Sequence, residues 1–139
     1  MTPIGYAGRT DALRALLAEQ GLPAMAVTNL TNIRWLTGFT GSNGFVAVLP
    51  DRLVLVTDGR YGDRASAELA AAGVDAEVAV GFTQAEQHTR FVDAFAGLDA
   101  VGAEAVTLTH QRWQAYAAEL PLTPADGLIE DLRRTKDAG

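Results

Sequence analysis

The sequence predicts an α/β chain of three-layer α/β/α type around a mixed sheet of five or six strands. Three observations lead there. Short apolar runs of strand character alternate with stretches of helical period, as they do where helices cover both faces of a sheet. Two of those runs are joined by only three residues, a connection suited to antiparallel neighbours. Finally, 139 residues with 48% hydrophobic and 20% charged content suffice for one buried core and are too apolar for a disordered chain.

The elements follow in order. From Thr10 to Gln20, Leu13, Leu16 and Leu17 repeat at helical spacing and Gly21 supplies a stop. Ala24 to Thr28 reads as a strand, Asn29 to Asn32 as polar loop, and Ile33 to Leu36 as a short helical turn. Thr37 to Gly44, with three glycines in TGFTGSNG, cannot propagate a helix cheaply and is expected to be a loop able to move without unpacking the sheet. Phe45 to Leu49 and Leu53 to Thr57 form a hairpin across Pro50-Asp51-Arg52.

Tyr61 to Ala72 is an alanine-rich helix with Ala65, Leu69 and Ala72 on one face and an Arg64/Glu68 pair on another, ended by Gly73. Ala76 to Val80 is the next strand. Thr83 and Glu86 make a capping box for a helix that buries Phe91, Val92 and Phe95. Ala100 to Ala103 is a weak strand, and Trp113, Tyr116, Ala117 and Leu120 stripe another helix that Pro121 ends. After the turn Pro124 to Gly127, Leu128 to Arg134 begins a helix whose Leu128, Ile129 and Leu132 need a partner. Residues 135–139 read as a charged tail.

Composition narrows the function. A net charge of -6 disfavours nucleic acid and anionic lipid, which reward clustered Lys and Arg. The absence of cysteine removes disulfides, thiolate nucleophiles and Cys-ligated zinc and fits a reducing cytoplasm. Met1 to Arg9 lacks the basic-then-apolar pattern of a signal peptide, and no apolar stretch is long enough to span a bilayer, so a cytoplasmic location without membrane contact is expected. Asn29-Leu30-Thr31 matches a glycosylation sequon but reads better as a polar turn.

Few residues carry chemistry. His88 and His110 belong to no HExxH or HxxEH arrangement; His88 is expected at the boundary of a core and His110, after the cap Thr109, in solvent. Ser42 and Ser66 lack the GxSxG context of an exposed nucleophile. Asp58 is expected to cap the following helix rather than act as a base. The glycines of Gly38 to Gly44 are spaced GxxGxxG, precede a strand and have no P-loop lysine, so a phosphate cradle, and with it a stand-alone nucleotide-binding module, is a secondary reading.

Two stretches carry a resemblance: residues 32–44, NIRWLTGFTGSNG, and residues 57–61, TDGRY. They resemble signatures of the amino-terminal domains of metal-dependent Xaa-Pro aminopeptidases and prolidases, the creatinase/prolidase family. The closing residues 124–137, PADGLIEDLRRTKD, are similar to the segment that leads into that family's catalytic domain. The resemblance implies a ribonuclease-H-like topology and an N-terminal domain over residues 1–134, with residues 135–139 starting a linker to an absent "pita-bread" catalytic domain.

That absent domain is expected to hold two divalent ions (Mn, Co or Zn) on Asp, Asp, His, Glu and Glu ligands, none of whose motifs occurs here. No catalytic residue, metal ligand or cofactor is therefore expected in this chain, and alone it should be inactive. Its expected roles are shaping substrate access and supporting a homo-oligomer, with its own catalytic domain and proline-containing peptides as partners. A stand-alone peptide-binding module is the alternative. The cleft-facing candidates on the glycine loop are Phe39, Gly41, Ser42 and Asn43; Arg34, Arg60 and Tyr61 complete the set, because an arginine can hold a substrate carboxylate or carbonyl in a forked geometry.

Overall fold

β-Branched and small apolar residues concentrate in the runs that form the middle of the sheet, where both faces must be covered. The strands are β1 (Met25–Val27), β2 (Gly44–Val48), β3 (Leu53–Thr57), β4 (Glu77–Val80), β5 (Val101–Ala103) and β6 (Leu122–Pro124), in the spatial order β4-β3-β2-β1-β5-β6. β2 pairs antiparallel with β1 and β3, and the remaining pairings are parallel. This is a computed structural model describing residues 5–138. The opening of the Met1 to Arg9 stretch and Gly139 lie outside the described residues.

Among the described residues six helices complete the three layers: α1 (Tyr6–Glu19), α2 (Leu30–Thr37), α3 (Gly62–Ala72), α4 (Gln84–Ala94), α5 (His110–Ala117) and α6 (Leu128–Ala138). The pleat sends alternate residues to opposite faces. Met25, Val27, Val46, Val48, Leu53 and Leu55 meet Leu13, Leu17, Ile33, Leu36, Leu69 and Ile129, so α1, α2, α3 and α6 cover one face. Ala26, Phe45, Ala47, Val54 and Val56 meet Phe91, Phe95, Tyr116 and Leu120 from the α4 and α5 side. The expected α/β/α class and mixed sheet are both present.

Four local expectations change. α1 begins at Tyr6, ahead of Thr10, with Gly5 as its N-cap. Asn29 is an N-cap, not loop: its side chain accepts from the Thr31 and Asn32 amides, which makes α2 a full eight residues. Gly38, at φ 82°, then ends it. β6 is an additional strand with no apolar run to announce it, and its Pro124 is tolerated because β6 is an edge. α6 continues as helix to Ala138, through most of the stretch read as tail.

Candidate functional site

Sheet register brings the two sequence motifs together. Because β2 alone runs against its neighbours, its start lies at the same edge as the carboxyl ends of the other strands. Gly44 pairs with Thr57, and Thr57 with Val80, so Asn43, Asp58 and Gly81 emerge side by side. Thr57 fastens the junction by donating its hydroxyl to the Asn43 carbonyl at 2.6 Å.

Asp58 sits at the centre of that edge. Its Oδ1 accepts the Arg60 amide at 2.9 Å, and its Oδ2 accepts Arg60 Nη2 at 2.8 Å and Asn43 Nδ2 at 2.9 Å. The bond to the amide two residues on is an Asx turn, so Asp58 shapes the turn before α3; the helix itself starts at Gly62 with Tyr61 in the N-cap position. The Arg60 side chain and then Asn43 stabilise the carboxylate, holding its pKa down to about 2 from 3.8. The same pairing raises the pKa of Arg60. Asn43 also donates to Gln87 Oε1 at 3.0 Å, and Gln87 Nε2 donates to the Gly81 carbonyl at 2.9 Å.

The glycine loop packs around an aromatic side chain. Phe39 is 1% exposed and buried in the core, its ring edge-on to Tyr61 at 6.0 Å. A Cβ at Gly41 would stand 2.3 Å from Phe39 Cζ, and one at Gly44 would stand 2.8 Å from Cε2. These glycines seat an aromatic ring, and both Phe39 and Gly41, expected to face a cleft, are buried within this domain. The rest of the loop is anchored too. Thr40 gives its amide and hydroxyl to Glu68 and accepts from Arg64, while Ser42 Oγ and Tyr61 Oη share a 2.7 Å bond that lowers the tyrosine pKa.

Of the remaining candidates, Ser42, Asn43, Arg60 and Tyr61 stand together. Arg60 Cζ lies 4.9 Å above the Tyr61 ring, and its side chain is 69% exposed. Arg34 is elsewhere, exposed on α2, where its charge reaches Glu68. Burial raises the Glu68 pKa, but the Thr40 bonds and the charges of Arg64 and Arg34 outweigh it and leave it lowered. Ser42 is bonded to a tyrosine and not to a base, so nothing activates it as a nucleophile.

Beyond Asn43 and Arg60 the edge opens into a cleft of about 660 Å³ toward α4 and α5, whose far side carries His88, Arg112 and Tyr116. His88 stacks on Tyr116 with centroids 5.1 Å apart, and its Nε2 lies 2.5 Å from Glu119 Oε2. This is the boundary histidine expected, and His110 is exposed as expected. Arg112 Cζ lies 5.0 Å from the Phe45 ring centroid and Nη2 donates to Tyr116 Oη at 3.3 Å. Burial raises the Tyr116 pKa, with the arginine partly offsetting it.

A second polar cluster escaped sequence reasoning. At the carboxyl ends of β1 and β5, Glu104, 4% exposed, accepts the Thr28 and Asn29 amides at 2.7 and 3.0 Å and Asn32 Nδ2 at 2.6 Å. Asn32 in turn donates to Glu130 and accepts from Arg133, which ties α6 to α2. The chain leaves β1 toward β2 on one side and reaches β5 on the other, so this is the crevice where open α/β sheets commonly take ligands. Here the protein's own carboxylate fills it. Burial raises the Glu104 pKa, and the bonds it accepts lower it by less. The available signal was one acid directly after the apolar strand β5; for Gln87 it was a position one turn before Phe91 on the buried face of α4.

Comparison with known proteins agrees with this architecture. A family model described as the creatinase/prolidase N-terminal domain matches residues 9–135. The N-terminal domain of cytoplasmic peptidase PepQ from Mycobacterium tuberculosis H37Rv is 36% identical with a TM-score of 0.79, covering 91% of this chain and 98% of that one. An Xaa-Pro dipeptidase from Bacillus anthracis superposes with a TM-score of 0.84 at 26% identity, covering 93% of this chain and 36% of that one. The uncharacterized peptidase YqhT of Bacillus subtilis (strain 168) is 28% identical over 133 residues, 94% of this chain. The chain spans 36% of that curated relative's length.

Proposed function

We propose, from the premise that the chain belongs to the creatinase/prolidase N-terminal domain family, that it is the non-catalytic amino-terminal domain of a cytoplasmic metal-dependent Xaa-Pro peptidase, an aminopeptidase P or a prolidase. In this reading it shapes substrate access for proline-containing peptides and supports a homo-oligomer. The observation that carries it is the match over residues 9–135, together with solved N-terminal domains of peptidases that share the fold. Among the described residues no three His, Asp or Glu side chains converge as metal ligands, so the two divalent ions implied by the family do not fit this chain. The hydrolytic centre is assigned to a separate catalytic domain, with residues 135–139 leading toward it.

Ser42, Asn43, Arg60 and Tyr61 are the surface through which this domain would meet substrate, and the bonds that hold them support a fixed rim rather than a flap. The test is turnover of Xaa-Pro di- and tripeptides with Mn²⁺, Co²⁺ or Zn²⁺. The chain alone is expected to show none, whereas a polypeptide that also carries the catalytic domain is active. In that longer polypeptide Arg60→Ala is expected to change turnover more than melting temperature. Chelator-sensitive turnover by the chain alone would overturn the reading, and an Arg60→Ala effect confined to stability would reassign Arg60 to structure.

A further inference from the structure

The sheet ends in two unlike edges. β6 closes one side with Pro124, which has no N–H to offer a further strand. β4 closes the other and pairs only with β3. The Gly81 amide donates to the Thr57 carbonyl at 3.0 Å, and in a parallel ladder alternate residues face the neighbouring strand. Glu77 and Ala79 therefore turn their backbone groups toward β3. Val78 and Val80 turn theirs outward, where no hydrogen bond among the described residues takes them. The strand's one charge does not guard this edge, because Glu77 stands at its start and lies 3.7 Å from Arg52.

We infer that β4 is the contact through which two copies of this chain associate, pairing antiparallel about a two-fold axis so that one sheet runs through both. A two-fold pair of identical strands has to be antiparallel, and the outward groups fix its register. Only when Val78 faces Val80 of the second copy do both outward residues of each strand find partners inside the strand, each pair exchanging two hydrogen bonds. That register sets Ala79 against Ala79 on the axis and Glu77 against Gly81, so the two glutamates never stand opposite each other. Val78 and Val80, half-buried in the single chain, gain each other as cross-strand neighbours. Just past the strand, Phe82, 76% exposed, comes level with Ala76 of the second copy. On the α4 side, the groove beside β4 carries Arg52 and Arg90 with Glu77 and Asp93. This balanced set can meet its own copy without the repulsion that a net charge of -6 brings elsewhere. The self-match of register and charge favours a second copy over an extended segment of another protein. It gives the homo-oligomer proposed above a contact, and in that respect rests on that reading.

The experiment is sedimentation equilibrium of the 139-residue chain from about 10 µM to about 1 mM. Expected is reversible monomer–dimer association with Kd of about 0.1 mM, the weak range that a short strand pair supports. Val80→Pro removes an N–H that faces out of the sheet, so it should keep the melting transition and weaken association at least about tenfold. The chain has no cysteine, so single cysteines report the register. Ala79→Cys places two thiols on the axis, in a pair whose Cα atoms stand about 4.5 Å apart, and should form a covalent dimer under oxidised glutathione at least about tenfold faster than Glu77→Cys, which faces Gly81. Where Val80→Pro fails to fold, the two cysteine variants decide. The inference is overturned if the chain stays monomeric at about 1 mM, if folded Val80→Pro associates like its parent, or if Glu77→Cys crosslinks as fast as Ala79→Cys. Such a failure strikes the β4 contact alone: the peptidase-domain reading is judged by turnover, and association kept by Val80→Pro would leave the homo-oligomer standing on another face.

Discussion

Replacing Gly41 by Ala tests whether the glycine loop exists to seat Phe39. The added Cβ would meet Phe39 Cζ, Cε2 and Cε1 at 2.3, 2.9 and 3.0 Å, where carbon atoms pack comfortably at about 3.5–4.0 Å. The ring must retreat by more than about an ångström, and it is 1% exposed with Tyr61 against its edge. Overpacking of a filled core costs about 1–3 kcal/mol. Because Gly41 is not at positive φ, alanine also removes unfolded-state freedom worth about 0.4–1 kcal/mol, leaving a net loss centred on about 1.3 kcal/mol. At an unfolding entropy of about 2.1 cal/mol/K per residue, that lowers Tm by roughly 4–5 °C in a chain of this size. Calorimetry of Gly41→Ala alone and with Phe39→Leu decides the matter. Leucine has no Cζ, so the alanine should cost at least about 1 kcal/mol less in that background. Equal costs in the two backgrounds, or a Gly41→Ala chain as stable as its parent, would refute the argument.

Three further outcomes follow from groups whose partners are known. Asp58, with its pKa lowered from 3.8 to about 2, contributes stability that is present above pH 3.8 and lost as pH falls toward 2. Because Arg60 is largely exposed, solvent screening limits this to about 1 kcal/mol; denaturant unfolding between pH 5 and 2.5 should show Asp58→Asn losing that much less than the parent, and parallel curves would contradict the assignment. Glu104 has the opposite sign: its raised pKa makes stability fall as pH rises from the ordinary 4.5 through the folded value. At neutral pH, Glu104→Gln should cost about 1–3 kcal/mol in denaturant unfolding, because one oxygen is lost where three donors converge, and an unchanged midpoint would show that the cluster is not coupled to folding. Among the described residues Thr10 Oγ1 is buried without a hydrogen-bond partner, so Thr10→Val should raise stability by about 1 kcal/mol in calorimetry; a loss would mean that the hydroxyl is satisfied in solution.

Sequence alone was sufficient wherever one short stretch decides its own conformation. Gly21 and Gly73 end helices at φ 71°, as their positions after apolar periodic segments predicted. The Thr83/Glu86 capping box and the β2–β3 hairpin formed as read, because their bonds join residues close in the chain. The two motifs at residues 32–44 and 57–61 carried the family without any coordinates. What no local reading could decide was which distant groups meet. β6 is a strand only because β5 offers it an edge. Phe39 turned into the core because Gly41 and Gly44 leave room for its ring, and the same spacing on an exposed loop would have suited a phosphate equally well. Asn43 reached Asp58 through the β2–β3 register, and Gln87 joined them only once α4 had docked on the other side of Gly81. Glu104 and Asn32, 72 residues apart, became partners when β5 paired with β1. Backbone preference and capping act over a few residues, so they can be read along the chain. A buried polar group takes its partner from whatever strand register and helix docking bring within about 3 Å, and packing of the whole domain decides that.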